Sequence, residues 1–266
     1  MPAIPATWLV GSIEGLAAQG VTVNGGDTDT VPAGNWYLRH PNAALSLIGQ
    51  LDAVISAELG NALIRIRPDR LVEISSTVPF SLTWTNGPDL PGLLGFSGVA
   101  LGVDMVHVAP AISPLLFSAG WLATTPVGDG QAGYPVEDEH TQISADGTIV
   151  DSEFHNVQTH NEFAWSQVMA SRVRASDVTS DLMKGGTWHR FRELVLRPNY
   201  RFQVYESVTE DAAPGALDLV SWPTPLGTYK RRALPRGRYD REIRNANTRW
   251  AIDVEAIEQP EYPANA

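Results

Sequence analysis

Three histidines near the middle of the chain come closest to the residue types and grouping of a metal site. His140, His155 and His160 lie among acidic residues, but no HExxH or comparable ligand pattern occurs. His155 and His160 are five positions apart, so on one strand they are expected to face opposite sides. We therefore predict neither a metal ion nor any other cofactor. The neighbouring acidic residues are Glu137, Asp138, Glu139, Glu153 and Glu162.

A second candidate is the segment Gly95-Phe96-Ser97-Gly98-Val99, which approaches the nucleophile elbow of serine hydrolases. That elbow needs a glycine where this chain has Val99. Asp104 and His107 follow, but three positions apart on an extended segment they would face opposite sides. The chain also has no cysteine, and therefore no thiolate nucleophile. The sequence predicts a protein that is not an enzyme.

Two alternative functions stay open at this point. The chain has 30 Asp and Glu residues, so a pair of carboxylates for a glycoside hydrolase can be drawn from many positions. The 8 Trp residues could include exposed rings of a carbohydrate-binding module, with a glycan as partner. Several of them instead occupy alternating or helical apolar faces, which is typical of core residues.

The elements that must position these residues are mostly strands. The chain of 266 residues contains 23 Gly and 19 Pro, which indicates many turns. Apolar residues at helical spacing from Leu45 to Leu59, followed by Gly60, predict one helix that begins near Asn42. We predict an α+β, β-rich fold of antiparallel sheets or sandwich-like modules with two or three short helices. Strand-like runs after the helix are 63–67, 70–75 and 80–85, with Thr77 to Pro79 separating the last two.

A segment rich in Gly, Pro, Asp and Glu at 124–148 predicts an internal boundary or a long loop. Residues 1–125 would form a helix-plus-meander β module. Residues 126–266 would form a second β-rich module with one short helix, although both could pack as a single domain. In the second module, Ile252, Val254 and Ala256 share one face of a predicted strand.

One piece of the core can be predicted from local pattern. Phe80, Leu82 and Trp84 point to one face of the third run. Leu94 and Phe96 follow after a short break and are expected to close over that face. The glycines that flank Phe96 permit the tight path.

Two groups of segments resemble proteins of tailed bacteriophages. The passage Pro79-Phe80-Ser81-Leu82-Thr83-Trp84, followed by Leu93-Leu94-Gly95-Phe96-Ser97-Gly98, resembles a strand and turn of their structural proteins. The order of the C-terminal segments is similar to that of tail-associated β proteins. Those segments are Trp188-His189-Arg190-Phe191, Tyr200-Arg201-Phe202, Tyr229-Lys230-Arg231 and Trp250-Ala251-Ile252-Asp253-Val254.

This resemblance implies a role and a location, and it transfers no catalytic residue. It implies a structural component of the virion, present in multiple copies in a tail, neck, baseplate or capsid-associated assembly. The expected partners are other copies of the chain and other virion proteins. The protein would be made in the host cytoplasm and then incorporated into the particle.

Charge is distributed unevenly along the chain. The net charge of −11 argues against a nucleic-acid partner. Residues 1–150 carry four Arg and no Lys against fourteen Asp and Glu, whereas 228–249 carry eight basic and two acidic residues. We hypothesise that this basic segment attracts the acidic half of another copy; phosphate contact and pairing within the chain are the alternatives. The candidate interface residues are Lys230, Arg231, Arg232, Arg236 and Arg238.

No membrane segment or signal peptide is expected. Met1 to Ser12 has neither a basic start nor a continuous apolar core. The uncharged stretch 105–127 is long enough to cross a bilayer, but three prolines and a glycine interrupt it. We predict a buried strand and loop there.

Overall fold

The computed structural model describes residues 8–67, 70–85, 89–118, 134–143, 149–169, 188–205, 225, 227–231, 241–245 and 249–265. The strands are β1 (Trp8–Leu16), β2 (Gln19–Val23), β3 (Thr28–Val31), β4 (Gly34–Tyr37), β5 (Ala62–Ile66), β6 (Val72–Trp84), β7 (Ala100–Val108), β8 (Leu116–Ser118), β9 (Tyr134–Ile143), β10 (Ile149–Met169), β11 (Arg201–Tyr205), β12 (Gly227–Arg231), β13 (Arg241–Asn245) and β14 (Arg249–Glu258). The helices are α1 (Leu47–Leu59), α2 (Asp89–Leu94) and α3 (Trp188–Phe191). A 3-10 turn (Ala43–Leu45) precedes α1, and a π-helical stretch (Arg192–Leu196) continues α3.

The larger sheet joins strands from both ends of the chain. Its order is β4-β1-β11-β12-β14-β10-β9, with β8 also paired to β1 and β13 to β14. The β1–β11 pairing sets Trp8 opposite Tyr205, so the sheet crosses the predicted boundary at residue 125. Within the predicted boundary segment, Tyr134–Ile143 is not a loop but strand β9, which pairs with β10.

The smaller sheet has the order β3-β2-β6-β5, and β7 lies on the other side of β6. All named strand pairs in both sheets are antiparallel, which confirms the predicted β-rich α+β class. The prediction that Thr77 to Pro79 separate two strands is wrong, because β6 runs through them. Ser75 pairs with Val106 and Phe80 with Asp104, so β6 carries a bulge that accommodates the proline.

Helix α1 is set by its two caps. The Ser46 hydroxyl accepts a hydrogen bond from the Gly49 N–H, and Gly60 ends the helix with φ 73°. The predicted start near Asn42 is early, because Asn42 caps the preceding 3-10 turn instead. The buried face of α1 is Leu47, Ile48, Gly49, Leu51 and Ile55.

The predicted closure over the β6 face is confirmed. Phe80, Leu82, Trp84, Leu94 and Phe96 are all buried, and the Trp84 and Phe96 ring centroids are 6.5 Å apart. The turn after α2 requires glycine at the residue before Phe96. That glycine has φ 91°, and a side chain there would collide with a backbone carbonyl.

Further apolar predictions are also confirmed. The predicted face of β14 is buried at residues 252, 254 and 256. Trp188, Phe191 and Val195 are buried along α3 and its π-helical continuation. No helix in the described ranges is long and apolar enough to cross a membrane. Every tryptophan side chain that the structure describes is in the core, namely Trp8, Trp36, Trp84 and Trp188.

Candidate functional site

The serine of the incomplete nucleophile elbow has no catalytic neighbours. Ser97 is exposed in the turn between α2 and β7. His107 is buried, its Nε2 lies 3.0 Å from the Phe80 carbonyl oxygen, and its ring packs edge-on against the Phe80 ring. The Asp104 carboxylate is occupied by the adjacent Met105 N–H at 2.6 Å. These contacts do not assemble a Ser-His-Asp triad.

The three central histidines lie on the backbone of β9 and β10. His140 pairs with Glu153 across the two strands, and His155 pairs with Asp138. A bulge between His155 and Gln158 interrupts simple alternation, so counting five positions from His155 to His160 does not establish opposite faces. Where side chains are described, no three His, Asp or Glu residues are grouped to hold a metal ion.

The predicted basic interface is only partly within the described residues. Lys230 Nζ lies 3.7 Å from Glu14 Oε1 of the same chain, and Arg231 is half-buried in β12. Arg232, Arg236 and Arg238 lie outside the described residues. Attraction between copies through this segment therefore stays a prediction.

A polar pocket of about 530 Å³ opens where three distant parts of the chain meet. One wall follows β4, the second begins β12, and the third follows β14. The sequence offered no signal for it, because its residues are as far apart as 40 and 261. Its lining is His40, Pro41, Asn42, Pro225, Gly227, Thr228, Glu258, Gln259, Pro260 and Glu261.

Hydrogen bonding orients His40 in this pocket. Its Nδ1 accepts the Asn42 N–H at 2.9 Å, which assigns the proton of the neutral ring to Nε2. That Nε2 lies 3.1 Å from Glu261 Oε1. Since both ring nitrogens face a partner, His40 has no free nitrogen with which to accept a proton from a substrate.

The wall behind Glu261 is also internally connected. Tyr205 Oη donates to Gln203 Oε1 at 2.6 Å, and Gln203 Nε2 lies 3.4 Å from both Thr228 Oγ1 and Glu261 Oε1. Burial raises the pKa of Tyr205 above its usual range. Both pocket carboxylates, Glu258 and Glu261, are exposed, so neither is in the desolvated setting in which glycosidases keep an acid protonated.

Two buried tyrosines lie beside this wall. Burial raises the pKa of Tyr37 to about 12, although Thr228 and Arg201 lower it. The Tyr37 hydroxyl makes no hydrogen bond of good geometry with any residue that the structure describes. Tyr262 donates to Glu14 Oε1 at 2.6 Å, and the Arg201 guanidinium lies 4.0 Å from its ring centroid. The arrangement joins the C-terminal segment to β1, β4 and β11.

The most exposed apolar surface lies on and beside β7, at the edge of the smaller sheet. We call this surface the β7 edge and define it as β7 together with Val78 and Val99. Val103 is 74% exposed, the highest value among the exposed large hydrophobic residues, and Met105 and Val106 are 43% and 44% exposed. The nine residues of β7 contain one charged residue, Asp104. Long apolar edges with few charges are sites of strand pairing with other chains.

Other sheet edges are protected. The Asn265 side chain pairs with Asn35 of β4 like a neighbouring strand: it accepts the Asn35 N–H at 3.1 Å and donates to the Asn35 carbonyl at 2.8 Å. Strands β3 and β5 have only four and five residues and carry Asp29 and Arg65. In contrast, no described strand pairs with the outer side of β7.

Sequence reasoning located β7 as a strand at Val99 to Ala109 but did not identify its exposure, because which strand forms an edge depends on pairing across the whole sheet. The chain matches no protein-family model, no curated protein and no solved structure.

Proposed function

We propose that this protein is a non-enzymatic structural subunit that assembles in multiple copies within a phage-like virion. The observation that carries the proposal is the β7 edge. An apolar strand edge without a partner exposes backbone hydrogen-bonding groups together with apolar side chains, and both are satisfied when another chain pairs with it.

The phage setting rests on the resemblance of 79–84 and 93–98 to phage structural proteins. In the fold these two segments pack together, since Trp84 at the end of β6 contacts Phe96 after α2. They support the adjacent edge by fixing the start of β7, where the Trp84 N–H donates to the Val99 carbonyl at 2.8 Å.

The polar pocket supports a structural role more than a catalytic one. His40 is engaged at both nitrogens, and the Gln203 and Tyr205 side chains bond to each other. Groups held in this way join β4, β11 and the C-terminal segment, and they stabilise the fold from which β7 is presented.

The first experiment measures self-association of the full chain by analytical ultracentrifugation over a range of concentrations. We expect oligomers that Val103→Lys weakens, because the substitution places a charge on the exposed apolar edge. Ala57→Lys, at an exposed position of α1, is the matched control and should assemble like the wild type. A wild-type chain that stays monomeric at every concentration would overturn the proposal.

The virion role needs a separate measurement. Quantitative mass spectrometry of purified particles from a phage that encodes this chain should find multiple copies in each particle. Its absence from purified particles would contradict the virion role.

A further inference from the structure

The hydrogen-bonding direction along β7 can be followed from both of its ends. At one end the Trp84 N–H donates to the Val99 carbonyl, and at the other the Ala109 N–H donates to the Val72 carbonyl, each at 2.8 Å. Because bonding direction alternates along an antiparallel strand, odd-numbered residues of β7 bond toward β6. The even-numbered residues, among them Ala100 and Val106, direct their backbone groups outward.

This alternation restricts how a second β7 strand could pair with the first. In a two-fold antiparallel arrangement, outward residues must lie opposite outward residues, so the axis has to pass through a residue and not between two residues. An axis at Asp104 would overlap the whole strand but would set Asp104 of one copy opposite Asp104 of the other. Like charges directly opposite each other destabilise a sheet.

An axis at Val103 removes that conflict with the smallest loss of overlap. Asp104 then lies opposite Gly102 of the other copy, and Ala100 lies opposite Val106, which are outward residues in both cases. Val103 lies opposite itself as a non-hydrogen-bonded pair, where side chains approach most closely. An axis at Gly102 also separates the carboxylates but pairs fewer residues of β7.

We propose that β7 pairs with β7 of a second copy of this chain about a two-fold axis at Val103, which joins the two smaller sheets into one continuous sheet. The inference rests on the proposed multi-copy function and names the surface and register of one contact within it. Two copies of the most exposed apolar side chain, Val103, become neighbours at the axis. Outward backbone groups of Ala100, Gly102, Asp104 and Val106 gain partners.

The side chain of Asp104 controls access to this contact. Its carboxylate accepts the Met105 N–H at 2.6 Å and lies 3.5 Å from the Val106 N–H, so it partly covers an outward donor. On pairing, Val106 N–H donates instead to Ala100 of the other copy. The same carboxylate therefore disfavours the fully overlapped register and leaves the Val103 register open.

The test is a cysteine scan, which the chain permits because it has no cysteine of its own. In the predicted register, Val103→Cys places two sulfurs across a close pair whose spacing suits a disulfide. Mild oxidation should convert this variant to a disulfide-linked dimer on a non-reducing gel. Val106→Cys is the matched control: it is similarly exposed but lies three residues from the axis in each copy, and it should stay uncrosslinked.

The scan also separates the possible outcomes. Crosslinking that is strongest at Gly102→Cys or Asp104→Cys would overturn the register, and equal crosslinking at residues 103 and 106 would indicate random collision and overturn the pairing. A wild-type chain that self-associates while Val103→Cys fails to crosslink overturns this contact and leaves the proposed function standing. A monomeric wild-type chain overturns both. Unchanged circular dichroism of each variant establishes that it is folded.

Discussion

Replacing Tyr37 with phenylalanine should make the protein less sensitive to alkaline pH. Tyr37 ends β4 and is fully buried, with its ring 5.2 Å from the centroids of both His40 and Tyr262. The hydroxyl makes no well-formed hydrogen bond to any part of the chain that the structure describes. Phenylalanine keeps the ring contacts, so we expect a change within about 1 kcal/mol in the free energy of unfolding at neutral pH.

The sign and size of the alkaline effect follow from the pKa of Tyr37. Burial raises this pKa from 10.0 to about 12 in the folded protein, whereas an unfolded tyrosine ionises near pH 10. Below about pH 10 both states hold the proton, and the stability is fully present. As pH rises from about 10 to 12, the unfolded state loses the proton first, so the folded state loses stability.

The magnitude is large enough to measure. At pH 11 the unfolded tyrosine is about nine-tenths ionised and the folded one about one-tenth, which corresponds to a loss of about 1.4 kcal/mol. The full shift corresponds to about 3 kcal/mol once pH exceeds 12. Burial also raises the pKa of Tyr205, Tyr229 and Tyr262, so the wild-type protein should lose more than Tyr37 alone accounts for.

The assay is urea unfolding of the wild type and Tyr37→Phe at a series of pH values from about 9 to 11. The variant should retain about 1.4 kcal/mol that the wild type loses over this range. Tyr200→Phe, which removes a hydroxyl from a half-buried position after the π-helical stretch, is the control for loss of any tyrosine. Equal losses in the wild type and Tyr37→Phe would refute the assignment of a raised pKa to this hydroxyl.

Three further predictions concern the core, the protected edge and the basic segment. Phe96→Ala should cost about 3 to 5 kcal/mol in urea unfolding through lost burial and the cavity left under it, and a loss below about 1 kcal/mol would place Phe96 outside the core. Asn265→Ala should cost about 1 to 2 kcal/mol, since it removes two hydrogen bonds to the backbone of β4; unchanged stability would mean that solvent replaces them fully. Combined Arg231→Glu, Arg232→Glu and Arg236→Glu should weaken assembly in sedimentation without altering circular dichroism, and added salt should weaken the wild-type association in the same way. Normal assembly of that triple variant would contradict attraction between copies through the basic segment.

Features that depend on nearby residues could be predicted from the sequence. Helix α1 follows from apolar spacing and from Gly60, and the burial of Phe96 over Trp84 follows from strand alternation and a short turn. In each case the residues that determine the feature lie within a few positions of it. The error at the start of α1 arose because Asn42 and Ser46 are both suitable caps, and only Ser46 caps the α-helix.

Features that depend on distant pairing could not be predicted in this way. The break expected at Pro79 is a bulge in a continuous strand, because β7 pairs with β6 on both sides of it. The same effect in β10 invalidates the count from His155 to His160. The pocket at His40 needs Glu261, which comes from the other end of the chain. No local window contains both residues, and pocket formation depends on the order of strands in the larger sheet.

The contrast between two sheet edges explains why an exposed apolar strand need not lead to unspecific aggregation. At β4 the Asn265 amide occupies both backbone groups of Asn35, so another strand finds no partner there. At β7 one carboxylate, that of Asp104, stands at the centre of an otherwise uncharged strand. A full block would need charges along the whole strand, whereas one central charge excludes only the registers that bring it against another acid. The edge is therefore selective for a register and not closed to pairing, which is the property that a subunit of a regular assembly requires.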